Sequence, residues 1–256
     1  MNQKTITPIA YIRSDFPEKF GIPRQSGLSR TQAEIVFLPE YGNAEAVRGL
    51  EDFSHIWLIW GFSGHEDRPW HATVRPPRLG GNERIGVFAS RSPFRPNGLG
   101  LSCVRLLSVQ SCTVSASSAL ENAKSGSSGG TSDAQTHAVP VLLVEGADLM
   151  DGTPIYDIKP YIPYADSRPE ASGGFTDTTP RSLLKADIPD VLLAKLPAEK
   201  REGLLDVLRQ DPRPSYQNDP ERVYGLSYAG FNIKFLVAGG TVQVLAIEPL
   251  PPEAFI

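Results

Sequence analysis

Apolar residues in the first 164 positions come in short runs of five to nine residues, separated by stretches rich in proline, glycine and serine. Runs of this length, bounded by turn residues, predict strands rather than helices. Residues 4–12 alternate, with Ile6, Ile9 and Ile12 as apolar positions, and 33–38 and 85–89 are further short strands. Residues 55–62, HIWLIWGF, are continuously apolar and fit a strand buried on both faces, with Trp57 and Trp60 in the core. A strand at 101–107 is followed by a stretch, 108–138, in which nine of 31 residues are serine, so a flexible hairpin tip is expected before the strand at 139–145. Residues 45–50 form a helical turn in this reading. Beyond Pro163 the pattern changes. Residues 165–180 read as a linker, and 197–210 as a helix with Pro197 at its first turn and Leu204, Leu205 and Leu208 on one side. Segments 224–228, 232–238 and 241–247 form a meander whose last turn is Gly239-Gly240. The expectation is a mainly β, antiparallel domain over 1–164 and a smaller α+β domain over 165–256.

Composition adds little to this: 40% hydrophobic and 21% charged residues are ordinary for a soluble globular chain. No apolar run suits a signal peptide or a membrane span, so a cytoplasmic location is expected. Cys103 and Cys112 supply no disulfide framework. His55, His65, His71 and His137 lack metal-ligand spacing, so no metal site is expected. Charge distribution is more informative than the net value of −4. From Arg68 to Arg105 there are seven arginines, no lysine and one acid, Glu83, so this window carries +6 and the remainder −10. Such a basic patch on an otherwise acidic molecule can bind phosphates, with about half of its arginines expected to pair with acids elsewhere in the fold.

Three stretches carry candidate chemistry. Arg24, Gln25 and Ser26 offer a guanidinium, an amide and a hydroxyl in succession behind Pro23. The stretch FASRSPFRPNGLGLSCVRL, 88–106, sets Arg91 and Arg95 in a loop stiffened by Pro93 and Pro96. DLMDGTPIYDIKPYIPY, 148–164, has turn chemistry at 151–154 and places Asp148, Asp151 and Asp157 near Lys159 and Tyr161. No G-x-G-x-x-G follows a strand and opens a helix, and no P-loop is present, which disfavours a Rossmann domain and an NTPase.

Together with IRSDFPEKFGIPRQSGL, VRGLEDFSHIWLIW, TVRPPRLGGNERIGVFASRSPFRPNGLGLSCVRL and DPRPSY, these motifs resemble the bacterial TsaA/TrmO-like tRNA methyltransferase family. The resemblance covers most of 4–164 and returns at 211–216 and in the C-terminal meander. It implies an antiparallel β-barrel that is not of the Rossmann type, works as a homodimer and uses S-adenosyl-L-methionine. The substrate it implies is threonine tRNA, methylated at N6 of the threonylcarbamoyl-adenosine beside the anticodon. On the matching motifs it places cofactor contacts at Arg24, Gln25, Ser26, Phe62, Ser63, Arg91, Leu101, Glu145, Gly146, Ala147 and Asp148. Asp157 and Tyr161 are candidates to accept the N6 proton, and Arg75, Arg78, Arg84 and Arg95 to contact RNA. The chain departs from the family at 108–138, which is long, and at Gly98, where proline is common. A non-catalytic RNA-binding or ligand-sensing module, and a methyltransferase acting on a small metabolite, are the competing readings.

Overall fold

The computed structural model describes residues 4–63, 69–81, 83–115, 136–179, 183–214, 217 and 219–251. His65, Arg68, the middle of the serine-rich stretch and Tyr216 of the DPRPSY motif lie outside the described residues.

The first unit contains β1 (Ala10–Arg13), β2 (Gln32–Phe37), β3 (His55–Gly61), β4 (Thr73–Val74), β5 (Ile85–Gly86), β6 (Leu99–Ser115), β7 (Thr136–Glu145) and β8 (Pro154–Pro160). Six of them run antiparallel in the order β1-β2-β7-β6-β3-β8. The sheet closes as a barrel where Ala10 of β1 pairs with Ile155 of β8. Closure removes both sheet edges and leaves one interior to fill. Ile12, Ile35, Ile56, Leu58, Leu142, Val144 and Ile155 fill it, all essentially without exposure.

β3 departs from the sequence expectation of a strand buried on both faces. Ile56, Leu58 and Trp60 point into the barrel, whereas His55, Trp57 and Ile59 are half-buried on the outer face. The strand's period of two decides this, because only one face of a barrel wall meets the core. The serine-rich stretch also begins later than expected. β6 and β7 stay paired out to Ser115 opposite Thr136, since polar side chains facing water do not interrupt the backbone ladder. β8 was not legible as a strand among its carboxylates and prolines. A bulge at Tyr156 shifts its register, so that Ile59 faces Asp157 while Trp60 faces Ile155. Two expected strands are shorter than expected: β1 begins at Ala10, and β5 gives way after two residues to a 3₁₀ turn over Val87–Ala89.

The second core belongs to the C-terminal segment. It comprises β9 (Lys185–Asp187), β10 (Tyr224–Tyr228), β11 (Phe231–Ala238) and β12 (Thr241–Pro249), ordered β10-β11-β12-β9 with β9 parallel to β12. Two helices, α1 (Asp190–Leu193) and α2 (Ala198–Arg209), accompany the sheet. α2 buries Leu204, Val207 and Leu208, the i, i+3, i+4 stripe, while Leu205 is only half-buried. This core also takes in Phe16 from the N-terminal loop, whose ring meets Tyr228 at 5.5 Å. The Asp15 carboxylate pairs with Lys200 at 2.7 Å beside it, and its backbone carbonyl accepts from Ala229. The loop after β1 therefore packs into the second core while the strands at its two ends belong to the barrel. No helix among the described residues is long and apolar enough to cross a membrane.

Candidate cofactor site

The barrel interior ends in a polar relay. Ser102 of β6 is inward-facing and buried, opposite Leu58. Its hydroxyl oxygen accepts from the Trp60 indole N–H at 2.9 Å and donates its proton to Asp148 Oδ1 at 2.5 Å. Trp60 reaches this position because its partner across the ladder is Gly100, where a Cβ would collide with the indole ring. Phe62 packs edge-on against the same ring at 4.4 Å. Burial raises the Asp148 pKa above the ordinary carboxylate value, opposed by the Ser102 hydroxyl, the Arg91 charge and a backbone N–H of Ser26. The site thus presents a desolvated carboxylate held in one orientation.

Facing it is the loop 24–31. The Arg91 guanidinium donates to Gln25 Oε1, so the loop and the 88–98 stretch meet above Asp148. The loop is clamped to the end of β7 by Gly27 N–H to Gly146 O at 2.8 Å and Gly146 N–H to Thr31 O at 2.9 Å. Gly146 has φ +85, and a Cβ there would press on Gly27 at 3.1 Å, so this junction admits only glycine. Ala147 is buried in the barrel core and Glu145 turns outward to Arg105 at 3.4 Å. Of the run 145–148, only Asp148 brings a polar side chain to the relay.

Gln25, Ser26, Arg91, Gly146 and Asp148 are therefore brought together. Other candidate residues are placed elsewhere. Arg24 Nη2 donates to the carbonyls of Asp211 and Arg213 at 3.3 Å each, tying the loop to the DPRP segment of the C-terminal unit. Ser63 bonds Thr153 at 3.3 Å. Leu101 and Asp157 flank Ile59 on the outer face of β6, β3 and β8, the opposite face from Ser102. Asp157 pairs with Lys159 at 3.0 Å, and Tyr161 rests on Trp57, 5.8 Å between ring centroids. Arg75, Arg78 and Arg84 are exposed on the arm 69–98, with Arg84 bonded to Thr73 at 2.9 Å. Arg95 instead braces that arm, donating to Val87 O at 3.2 Å and Ser90 O at 2.7 Å.

A separate depression of about 250 Å³ lies outside the barrel, between the loop 27–30, β6 and α2. Its charges already satisfy one another, Arg30 with Asp206 at 2.8 Å and Arg105 with Glu145 at 3.4 Å. The Asp148 relay, whose carboxylate meets Arg91 only at long range, is the better place for a charged ligand.

Comparison with known proteins identifies the family. The family model for the tRNA-methyltransferase O N-terminal domain matches residues 11–124 and 130–167, and that for the TrmO C-terminal domain matches 192–250. The chain belongs to the TrmO family. It is 39% identical over 251 residues to the tRNA (adenine(37)-N6)-methyltransferase of Escherichia coli K12, covering 94% of this chain and 96% of the relative. It is 40% identical to a putative S-adenosylmethionine-dependent methyltransferase, RcsF, of Pseudomonas aeruginosa, with 87% of each chain covered. The crystal structure of TrmO from P. aeruginosa superposes with a TM-score of 0.70 at 29% identity, covering 98% of this chain and 99% of that one.

S-adenosylmethionine is the cofactor of the family, and the residues present fit it. Its amino-acid end is a zwitterion, and the relay offers one fixed carboxylate and one guanidinium across from each other. Two residues of this site were not singled out from sequence. Ser102 and Trp60 sit in apolar strands and read as core. The period of β6 was the available clue, because alternation from Val104 and Leu106 turns Ser102 inward, where an unpartnered hydroxyl is costly.

Proposed function

We propose that this chain is an S-adenosylmethionine-dependent tRNA methyltransferase acting on N6 of the adenosine at position 37. The observation that carries the reading is the Arg91–Gln25–Ser26–Asp148 cluster on a non-Rossmann barrel within a TrmO-family chain. Relatives bearing the name tRNA (adenine(37)-N6)-methyltransferase over almost their whole length support it. The finer reading is methylation of threonylcarbamoyl-adenosine in threonine tRNA, by a cytoplasmic homodimer with a catalytic domain over 1–164 and a C-terminal domain over 165–256. The outer strip of half-buried Trp57 and Ile59 with exposed Leu101 is a suitable face for a second copy.

When bound, the cofactor supplies a sulfonium-borne methyl group. The chain contributes position and charge. The Arg91 fork holds the carboxylate end and Asp148 the ammonium, while Trp60 and Phe62 keep water from the inner wall. Gly146 and Gln25 frame the remainder through backbone and amide groups, and Arg24 acts on the site by fixing the loop. Asp157 and Tyr161, the sequence candidates for taking the N6 proton, lie on the outer face, Asp157 beside Lys159 and Tyr161 on Trp57, so their position does not support that role for a nitrogen brought to the Arg91–Asp148 site. The test is transfer of labelled methyl to threonine tRNA with and without the threonylcarbamoyl group. Transfer only to the modified tRNA is expected; equal transfer to both, or none to either, overturns the substrate reading.

A further inference from the structure

The arm 69–98 holds two large aromatic side chains in water. Phe88 is 71% exposed and Trp70 is 52% exposed. The exposure of Phe88 is built in. It lies in the middle of the 3₁₀ turn Val87–Ala89, which buries Val87 and thereby turns the next side chain outward. The turn is pinned at several points: Val87 N–H bonds Ala72 O at 3.0 Å, Ser90 Oγ bonds Val87 O at 2.8 Å, and Arg95 bonds both Val87 O and Ser90 O. The same Arg95 guanidinium lies over the Phe88 ring at 5.6 Å, covering one face with a cation. A rigid aromatic with one face backed by a guanidinium and the rest of its surface open has the form of a stacking platform for a planar group.

The surroundings identify that group. Arg75, Arg78 and Arg84 are exposed on the same arm, so a partner that carries phosphates beside its planar group fits both features. A base that is to be methylated must leave its stack, and an aromatic side chain is the usual replacement for the lost neighbour. We propose that Phe88, backed by Arg95, stacks against a splayed-out base of the substrate tRNA and so positions it for the Arg91–Asp148 site. This rests on the tRNA reading above.

Phe88→Ala and Phe88→Trp are compared with the parent for methyl transfer, cofactor affinity, oligomeric state and the salt dependence of tRNA binding. Loss of one stack is expected to raise KM for tRNA about tenfold in Phe88→Ala, with cofactor Kd unchanged and near-parent behaviour in Phe88→Trp. The slope of log affinity against log salt stays the same, because no phosphate contact is removed. A flattened slope means that the arm has collapsed and carried its arginines away, and overturns the stacking role. So does an unchanged KM, or a shift in oligomeric state, which would make Phe88 a subunit contact. A parent protein that does not methylate tRNA at all defeats the functional reading itself, and this inference with it.

Discussion

The loop 24–31 and the arm 69–98 both reach the Asp148 site, and both are rich in arginine, yet they are held in opposite ways. In the loop, Arg24 bonds two carbonyls of the C-terminal unit, and Arg30 pairs with Asp206 and Glu202 at 2.8 Å each. Leu28 O accepts from Gln210, and Gly27 is tied to Gly146. In the arm, Arg75 and Arg78 are exposed, and the internal bonds go to shaping the backbone around Val87 and Ser90. The difference matches two kinds of ligand. A small zwitterion is bound well only by groups already in place, since ordering them on binding subtracts from affinity. A polyanion is attracted by cations in solution, where counterion release supplies the affinity without fixed geometry.

The comparison is broken most severely at Asp148. Asp148→Ala leaves the Arg91 side of the site without its opposite charge and removes the acceptor of Ser102. A loss of about 2–5 kcal/mol in cofactor binding is expected, or thirtyfold and more, as for truncating one member of a buried charge pair. Calorimetric titration with S-adenosylmethionine measures it; parent-like affinity would mean that the zwitterion is held elsewhere.

The arm responds differently. Removing Arg75 and Arg78 together is expected to leave cofactor affinity untouched while weakening tRNA binding, with the salt slope falling by about one to two units if each meets a phosphate. Filter binding at several salt concentrations reads this directly. Parent-like methylation of tRNA by the double variant would point to a small-molecule substrate.

Arg24 is the sharper test of the loop. Its guanidinium engages carbonyls of Asp211 and Arg213 rather than the relay. Arg24→Ala is therefore expected to weaken cofactor binding only a few-fold, through loosening of the loop, and to cost roughly 1 kcal/mol of stability, as for an ordinary hydrogen bond. A loss as large as that of Asp148→Ala would return Arg24 to direct contact with the cofactor.

These contrasts also explain which features were legible in sequence. Arg91 and Asp148 lie in long, distinctive motifs, and the structure brings them together. The strands at 33–38 and 224–228 and the helix at 197–210 follow from local periodicity, and all are present. The tie of Arg24 to the C-terminal unit was not legible because its partners lie more than 180 residues away, beyond the reach of local pattern. Leu101 faces outward by the same alternation of β6 that turns Ser102 inward, whereas the side taken by Asp157 depends on the bulge at Tyr156, which no local pattern announces. Ser102 was hidden in an apolar strand, and its role appears only when Trp60 and Asp148 close around it.

The smallest expected effect concerns the stability of the site itself. Burial raises the Asp148 pKa above its value of 3.8 in an unfolded chain. Between that value and the folded pKa the native state binds more protons than the unfolded one, so this residue's contribution to stability falls as pH rises. It is fully present below about pH 4 and is lost as pH climbs through the folded pKa. Asp148→Asn removes the titration while keeping an acceptor for Ser102. The difference in Tm, parent minus variant, is therefore expected to decrease from pH 4 to pH 7 in the cofactor-free protein. Added S-adenosylmethionine reverses this trend in the parent, because the ammonium favours the ionised carboxylate, and brings no such pH dependence in the variant, which has no carboxylate to ionise. A Tm difference that is flat with pH would mean that Asp148 is solvated and that the relay does not hold its carboxylate away from water.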